Sequence, residues 1–157
     1  MSGTKREIVL GVGGGIAAYK ACELLRRLQD LDFAVTVVPT PSSLNFVGSA
    51  TWEALSGRSV NTQVWENVEK VNHVSLADHA EAIIIAPTTA DLIARLVQGR
   101  ADDLLTNVVT ASPKVKFLVP AMHPDMWLNA TTQANVATLK ERGFKIMNPA
   151  TGRLTGE

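Results

Sequence analysis

Cysteine is nearly missing from this sequence: Cys22 is the single one in 157 residues. An internal disulfide is therefore impossible, a cysteine-based metal site is excluded, and a reducing compartment is the natural setting. Excess charge is missing too, since Lys plus Arg and Asp plus Glu number 15 each. No net field draws the chain to nucleic acid or to an anionic membrane surface, and neither is expected as a partner. No apolar run approaches the roughly 20 residues of a bilayer span, and Met1 to Glu7 is polar without a signal-peptide pattern. A soluble, cytoplasmic protein is expected. His73, His79 and His123 lack the spacing of ligands on one helix face, so no metal is expected. There is no Gly-x-Ser-x-Gly elbow to support a serine hydrolase of that class. Internal repeats, charge blocks and low-complexity linkers are absent as well.

What remains is a chain with 46% hydrophobic residues, enough for one domain with a real core. Its most informative stretch is Gly13 to Lys20, a glycine turn between the apolar run Ile8 to Val12 and an amphipathic helix over Ile16 to Leu31. Glycines let a ligand approach the main chain, and the following helix offers unpaired N–H groups and a positive dipole end. A plain tight turn is the alternative, because Ile16 stands where a Gly-x-Gly-x-x-Gly fingerprint has its last glycine.

Ala34 to Val38 is a second buried strand, which closes a right-handed βαβ unit. Dinucleotide-binding units usually place an acidic residue after that strand to hold a ribose diol. Here the chain reads Pro39, Thr40, Pro41, Ser42, Ser43, whose hydroxyls suit a phosphate or a ribityl chain better. A second helix is expected over Leu44 to Leu55, capped by Ser42 or Ser43 and closed by Gly57. Ser59 to Val71 is irregular, and its Trp65 is expected to pack on the body or on another subunit.

Further on, a short helix His73 to His79 leads to a strand Ala82 to Ala86 that stops at Pro87, and Thr88 to Asp91 open a helix Leu92 to Gln98. A helix after Asp103, a strand Val115 to Val119, a helix Thr131 to Arg142 and a short strand Lys145 to Met147 complete the pattern. The fold class expected is α/β, a three-layer, doubly wound parallel sheet of flavodoxin-like or Rossmann-like type. Four strand ends, after Val12, Val38, Ala86 and Val119, carry Gly, Ser, Thr, Asp or His. In such a sheet they share one edge, where ligands bind.

His73 reads either as a capping or surface histidine or as a proton-transfer group near that edge, while His79 faces solvent. Pro120 to Trp127 is a loop that reads as core packing, with Met and Trp filling gaps, or as a binding wall held in one shape by its two prolines.

In combination these motifs resemble the homo-oligomeric flavin-containing cysteine decarboxylases, above all the branch that serves coenzyme A biosynthesis. The resemblance rests on Gly14 to Lys20, Thr40 with Ser42 and Ser43, Phe46, His73 to Leu76, Ala86 to Asp91, Gly99 to Leu105 and Pro120 to Trp127. It implies an FMN site lined by Gly14, Gly15, Ile16, Thr40, Ser42, Phe46, Thr88, Thr89, Ala90, Asp91 and Ala121. It also implies a homotrimer, further assembled into a dodecamer, with the flavin near the subunit interface. His73 matches the family's active-site histidine, and His123 and Met126 fall at its substrate-binding positions.

The implied reaction takes 4'-phospho-N-pantothenoylcysteine to 4'-phosphopantetheine: the flavin oxidises the cysteine to a thioaldehyde, CO2 leaves, and the enethiol is then reduced. His123 stands where the family pattern Pro-Ala-Met-Asn-x-x-Met-Trp has its asparagine. Residues 1–157 are expected to be one FMN-binding cysteine decarboxylase domain, its substrate flap incomplete after Gly152 to Gly156 and a fused ligase domain absent. Two alternatives accompany this reading. One is a peptidyl-cysteine decarboxylase that leaves C-terminal enethiols on ribosomal peptides, and the other a non-catalytic FMN-binding regulatory subunit.

Overall fold

The computed structural model describes residues 4–67 and 73–149. The elements run β1 (Arg6–Val12), α1 (Ala18–Asp30), β2 (Phe33–Pro39), α2 (Ser49–Ser56), α3 (His73–His79), β3 (Ala82–Thr88), α4 (Ala90–Gln98), α5 (Leu104–Ala111), β4 (Val115–Pro120), α6 (Pro124–Leu128), α7 (Ala130–Glu141) and β5 (Lys145–Ile146). The five strands form one parallel sheet in the order β2-β1-β3-β4-β5. That is the flavodoxin-like order, with its switch point between β1 and β3.

Alternation along β1 divides the core. Ile8, Leu10 and Val12 pack against Ala18, Ala21 and Leu25 of α1 and Trp52 of α2. Val9 faces the opposite layer, built on Ala77 of α3, Leu92 and Leu96 of α4, Leu105 and Val108 of α5 and Val136 and Leu139 of α7. On the first face α1 and α2 leave part of the sheet bare. Val115 and Phe117 of β4 are each 38% exposed there.

Three expectations about the elements need correction. The helix over Leu44–Leu55 is two pieces: a 3-10 turn over Pro41–Asn45, capped by Thr40 rather than by a serine, and α2, capped by Gly48 in extended conformation. Gly57 does close α2, in the left-handed region that glycine tolerates best. β3 does not stop at Pro87 but runs through it to Thr88. Proline lacks a donor, yet its carbonyl accepts from Gly13 N–H at 2.9 Å, and Thr88 C=O accepts from Ala121 N–H. Pro120 to Trp127 is not all loop, because Pro124 opens the short helix α6. Trp65 is 71% exposed and so does not pack on the body of this chain. The flap stretch Gly152 to Gly156 lies outside the described residues.

Candidate active site

The four strand tips are tied to one another by the backbone. Thr40 N–H donates to Val12 C=O at 2.9 Å, Gly13 N–H to Pro87 C=O at 2.9 Å and Ala121 N–H to Thr88 C=O at 3.2 Å. The loop from Gly13 to Ala17 is therefore clamped between the β2 and β3 tips, and its glycines are needed for that. A Cβ on Gly13 would lie 2.5 Å from Pro87 O, and one on Gly14 would overlap Ser42 Oγ. Gly15 is less confined, meeting only Thr89 Cγ2 at 3.5 Å.

This packing leaves a row of free donors. Among the described residues, Gly14, Ile16 and Ala17 N–H have no intramolecular acceptor, and α1 opens without a side-chain cap. Exposed Ser42 stands against Gly14, 3.4 Å from Thr40 Oγ1. Free amides, a helix N-terminus and a hydroxyl together form an anion cradle.

Other hydroxyls predicted to line the site are already used. Thr40 is buried and accepts from Ser43 N–H at 3.3 Å, while Thr88 is buried and donates to Ile85 C=O at 2.8 Å. Both shape the tips instead of reaching a ligand through their side chains. Thr89 Oγ1 caps α4 by accepting from Leu92 N–H at 3.1 Å, which places Ala90 and Asp91 in the first turn of that helix.

Beyond β4 the chain divides its side chains between core and edge. Met122 and Trp127 pack against the larger hydrophobic cluster, as the core-packing alternative has it. Ala121 is half-buried at the tip, and His123 and Met126 point outward. His123 Nδ1 accepts from Asp125 N–H at 3.1 Å, so in the neutral ring the proton sits on Nε2 and is available as a donor.

His73 is half-buried at the first position of α3. The far end of α3 runs into the start of the sheet, where Glu81 N–H donates to Glu7 C=O at 2.8 Å. His73 therefore sits at the end of α3 away from that junction with the start of the sheet. His79, at the other end, is exposed and bonded to its own helix through Ser75 C=O. Phe46 follows the β2 tip and is half exposed, as are Ile16 of the β1 loop and Tyr19 of α1.

Residues 1–156 match the flavoprotein family. The chain belongs to that family. The coenzyme A biosynthesis bifunctional protein CoaBC of Mycolicibacterium smegmatis is 56% identical over 157 residues, covering 99% of this chain and 37% of that protein. Its Haemophilus influenzae counterpart is 42% identical over 149 residues, covering 94% and 37%. This flavoprotein thus spans a little over a third of the length of the curated relatives it matches. Among solved structures, the FMN-dependent cysteine decarboxylase SpaF aligns with a TM-score of 0.84 at 28% identity, over 90% of this chain and 82% of that one. A phosphopantothenoylcysteine (PPC) decarboxylase mutant complexed with pantothenoylaminoethenethiol aligns with a TM-score of 0.82 at 27% identity, over 94% and 84%.

Sequence reasoning gave no role to the ion cluster behind the flavoprotein edge. Arg95, on α4, pairs with Asp91 at 3.1 Å, Asp102 at 3.1 Å and Asp103 at 3.2 Å. Asp103 is nearly buried and caps α5, accepting from Thr106 N–H at 2.8 Å. Burial would lower the Arg95 pKa, but its hydrogen bonds to Asp103 and Asp102 and the charges of Asp103 and Asp91 outweigh that and raise it. α5 in turn presses Leu105 against Gly11 of β1, where a Cβ would come within 2.6 Å of the leucine. The cluster therefore fixes α4, α5 and the β1 tip as one unit. Its signal in the sequence was the four-residue spacing of Asp91 and Arg95 followed by the Asp102, Asp103 pair.

Among the described residues no helix is long and apolar enough to cross a membrane, and no group of His, Cys, Asp and Glu side chains could hold a metal ion.

Proposed function

We propose that this domain is an FMN-dependent cysteine decarboxylase that converts 4'-phospho-N-pantothenoylcysteine to 4'-phosphopantetheine in coenzyme A biosynthesis. The observation that carries the cofactor is the row of free amides at Gly14, Ile16 and Ala17 beside Ser42, which fits a terminal phosphate. The substrate is supported by 56% identity to a coenzyme A biosynthesis protein across nearly the whole chain.

In this reading Gly14, Ile16 and Ala17 hold the phosphate with Ser42 through their free N–H groups, and Gly15, whose N–H donates to Gly13 C=O, lines the loop between them. Thr40, Thr88, Thr89, Ala90, Asp91 and Ala121 shape the remaining edge, and Phe46 contributes apolar surface. FMN, when bound, would supply the two-electron oxidation of the substrate cysteine to a thioaldehyde, whose C=S accepts the electron pair as CO2 leaves, and its reduced form would return the two electrons to the resulting enethiol to give 4'-phosphopantetheine. His73 takes the proton from the substrate cysteine. His123 donates Nε2–H to the substrate carboxylate, and Met126 packs beside it. We further propose a homotrimer built into a dodecamer and a cytoplasmic location. The bare half-face around Phe117 and the exposed Ile16, Tyr19, Phe46 and Trp65 favour self-association.

The decisive experiment is to purify the protein, identify its chromophore, and offer it 4'-phospho-N-pantothenoylcysteine. A yellow protein that releases FMN on denaturation and evolves CO2 is expected. His73→Asn is expected to keep FMN and lose CO2 release. A protein that takes up no FMN, or a fully active His73→Asn, overturns the reading. A second reading keeps the cysteine decarboxylase chemistry that the likeness to SpaF supports, with a TM-score of 0.84 at 28% identity, and takes a peptide ending in cysteine as the substrate. Turnover of such a peptide, with none of the small molecule, selects it.

A further inference from the structure

The edge of the sheet opposite the candidate active site carries a second feature that this chemistry does not use. A cavity of about 320 Å³ opens there between the start of β4 and the turn from α7 to β5, lined by Pro113, Lys114, Val115, Lys116, Arg142 and Phe144. Its size is that of a small-molecule pocket rather than a one-water void. Its charge is one-sided, because the lining holds three cations and no carboxylate.

Elsewhere the chain pairs most of its cations. Lys5, Arg6, Arg27, Arg58, Arg95 and Arg100 all sit in ion pairs. Lys114, Lys116 and Arg142 have no carboxylate partner among the described residues, nor do Lys140 and Lys145 close by in sequence. In a chain of zero net charge, such a concentration is a local positive field.

Two of the lining cations are held in place. Lys116 Nζ donates to Ser112 C=O at 2.6 Å and lies 5.7 Å from the centroid of the Phe144 ring. Arg142 Nη1 donates to Val97 C=O in the last turn of α4 at 2.8 Å. Each keeps further N–H groups, since an ammonium has three and a guanidinium five. Burial lowers the Lys116 pKa, a cost that an anion in the cavity would offset. The apolar part of the lining, Pro113, Val115 and Phe144, suits a ligand with a carbon frame.

We propose that this cavity binds a small organic polyanion, phosphorylated or polycarboxylic, separately from the candidate active site. β4 has six residues, so its start is about 17 Å from its tip, and one ligand of ordinary size does not reach both.

The test is equilibrium dialysis of the FMN-saturated protein against labelled pyrophosphate and, separately, labelled citrate at about 0.15 M salt, where loose surface attraction is screened. Saturable binding of one anion per chain is expected, weakened tenfold or more by Lys114→Glu and by Arg142→Gln but unchanged by Arg26→Gln on α1. Lys114 is exposed and its side chain makes no polar contact among the described residues, so the charge reversal leaves the fold intact even if Arg142→Gln, which loses the bond to Val97, does not. Binding of pyrophosphate alone identifies a phosphoryl ligand, and binding of citrate alone a carboxylate one. No saturable binding of either, or binding that survives Lys114→Glu, overturns the proposal. FMN content is read on the same samples, so a failure of the flavin assignment is seen separately.

Discussion

Gly14 and Ser42 occupy adjoining positions on the β1 and β2 tips so closely that one methyl group does not fit between them. A Cβ on Gly14 would overlap Ser42 Oγ and lie 2.9 Å from Ser42 Cβ, so rotation of the hydroxyl alone does not relieve the clash. The contact joins the free amides of the glycine loop to the hydroxyl beside them. Gly14→Ala is expected to weaken FMN binding tenfold or more in a fluorescence-quenching titration. Gly15→Ala, whose Cβ would make an ordinary 3.5 Å contact with Thr89, is expected to do much less. Equal effects would show that crowding at Ser42 is not what matters.

His123 uses one ring nitrogen to cap α6 and presents the other outward. Asparagine can do both, because it is a good N-cap and carries an amide donor. His123→Asn is therefore expected to keep turnover near that of the unmodified protein. His123→Ala removes cap and donor together and is expected to raise KM about tenfold, the equivalent of one hydrogen bond to a charged group. Steady-state kinetics decides it, and a silent alanine variant would remove His123 from the substrate site.

Asp103 is both the cap of α5 and the most buried partner of Arg95. Asp103→Ala is expected to cost at least the about 1 kcal/mol of a lost cap, with more from the weakened hold on Arg95. Asp103→Asn, which keeps an acceptor for Thr106 N–H, is expected to cost less. Urea unfolding of the three proteins measures the order.

The same cluster predicts a dependence on acid. Burial would raise the Asp102 pKa, but the hydrogen bond from Arg95 and the charges of Arg95 and Arg100 outweigh it, so its folded-state value is depressed. A depressed carboxylate adds stability that is present above its ordinary pKa and is lost as pH falls through the folded value. The stability difference between the unmodified protein and Asp102→Asn should thus hold steady near neutrality. It should shrink as the pH drops through and below the ordinary carboxylate range. A difference that does not change with pH would show that Asp102 is not held ionised by the fold.

In the proposed assembly the bare half-face that carries Phe117 is the surface that meets a second copy of the chain. Sedimentation of the unmodified protein as a multiple of one chain is expected, with Phe117→Glu shifting it toward the monomer. A variant that stays fully assembled would move the interface away from this face.

Local patterning already determined the parallel α/β class, the strand and helix sequence, and the polar character of the four strand tips, since buried strands and amphipathic helices advertise themselves in runs such as Ile8 to Val12 and Ala18 to Leu28. Where it misled, a backbone partner had changed the outcome: Gly13 N–H lets β3 continue through Pro87, and an extended Gly48 divides the expected Leu44 to Leu55 helix. Nothing in composition could tell that Thr40 and Thr88 spend their hydroxyls on the backbone while Ser42 keeps its own exposed, or that Met122 and Trp127 turn into the core while His123 and Met126 turn out. Those choices depend on which groups the sheet order brings within hydrogen-bonding reach. Tertiary structure alone likewise decided the joining of Arg95 to Asp103 and the gathering of Lys114, Lys116 and Arg142 round one cavity, because contacts between elements follow from how they pack.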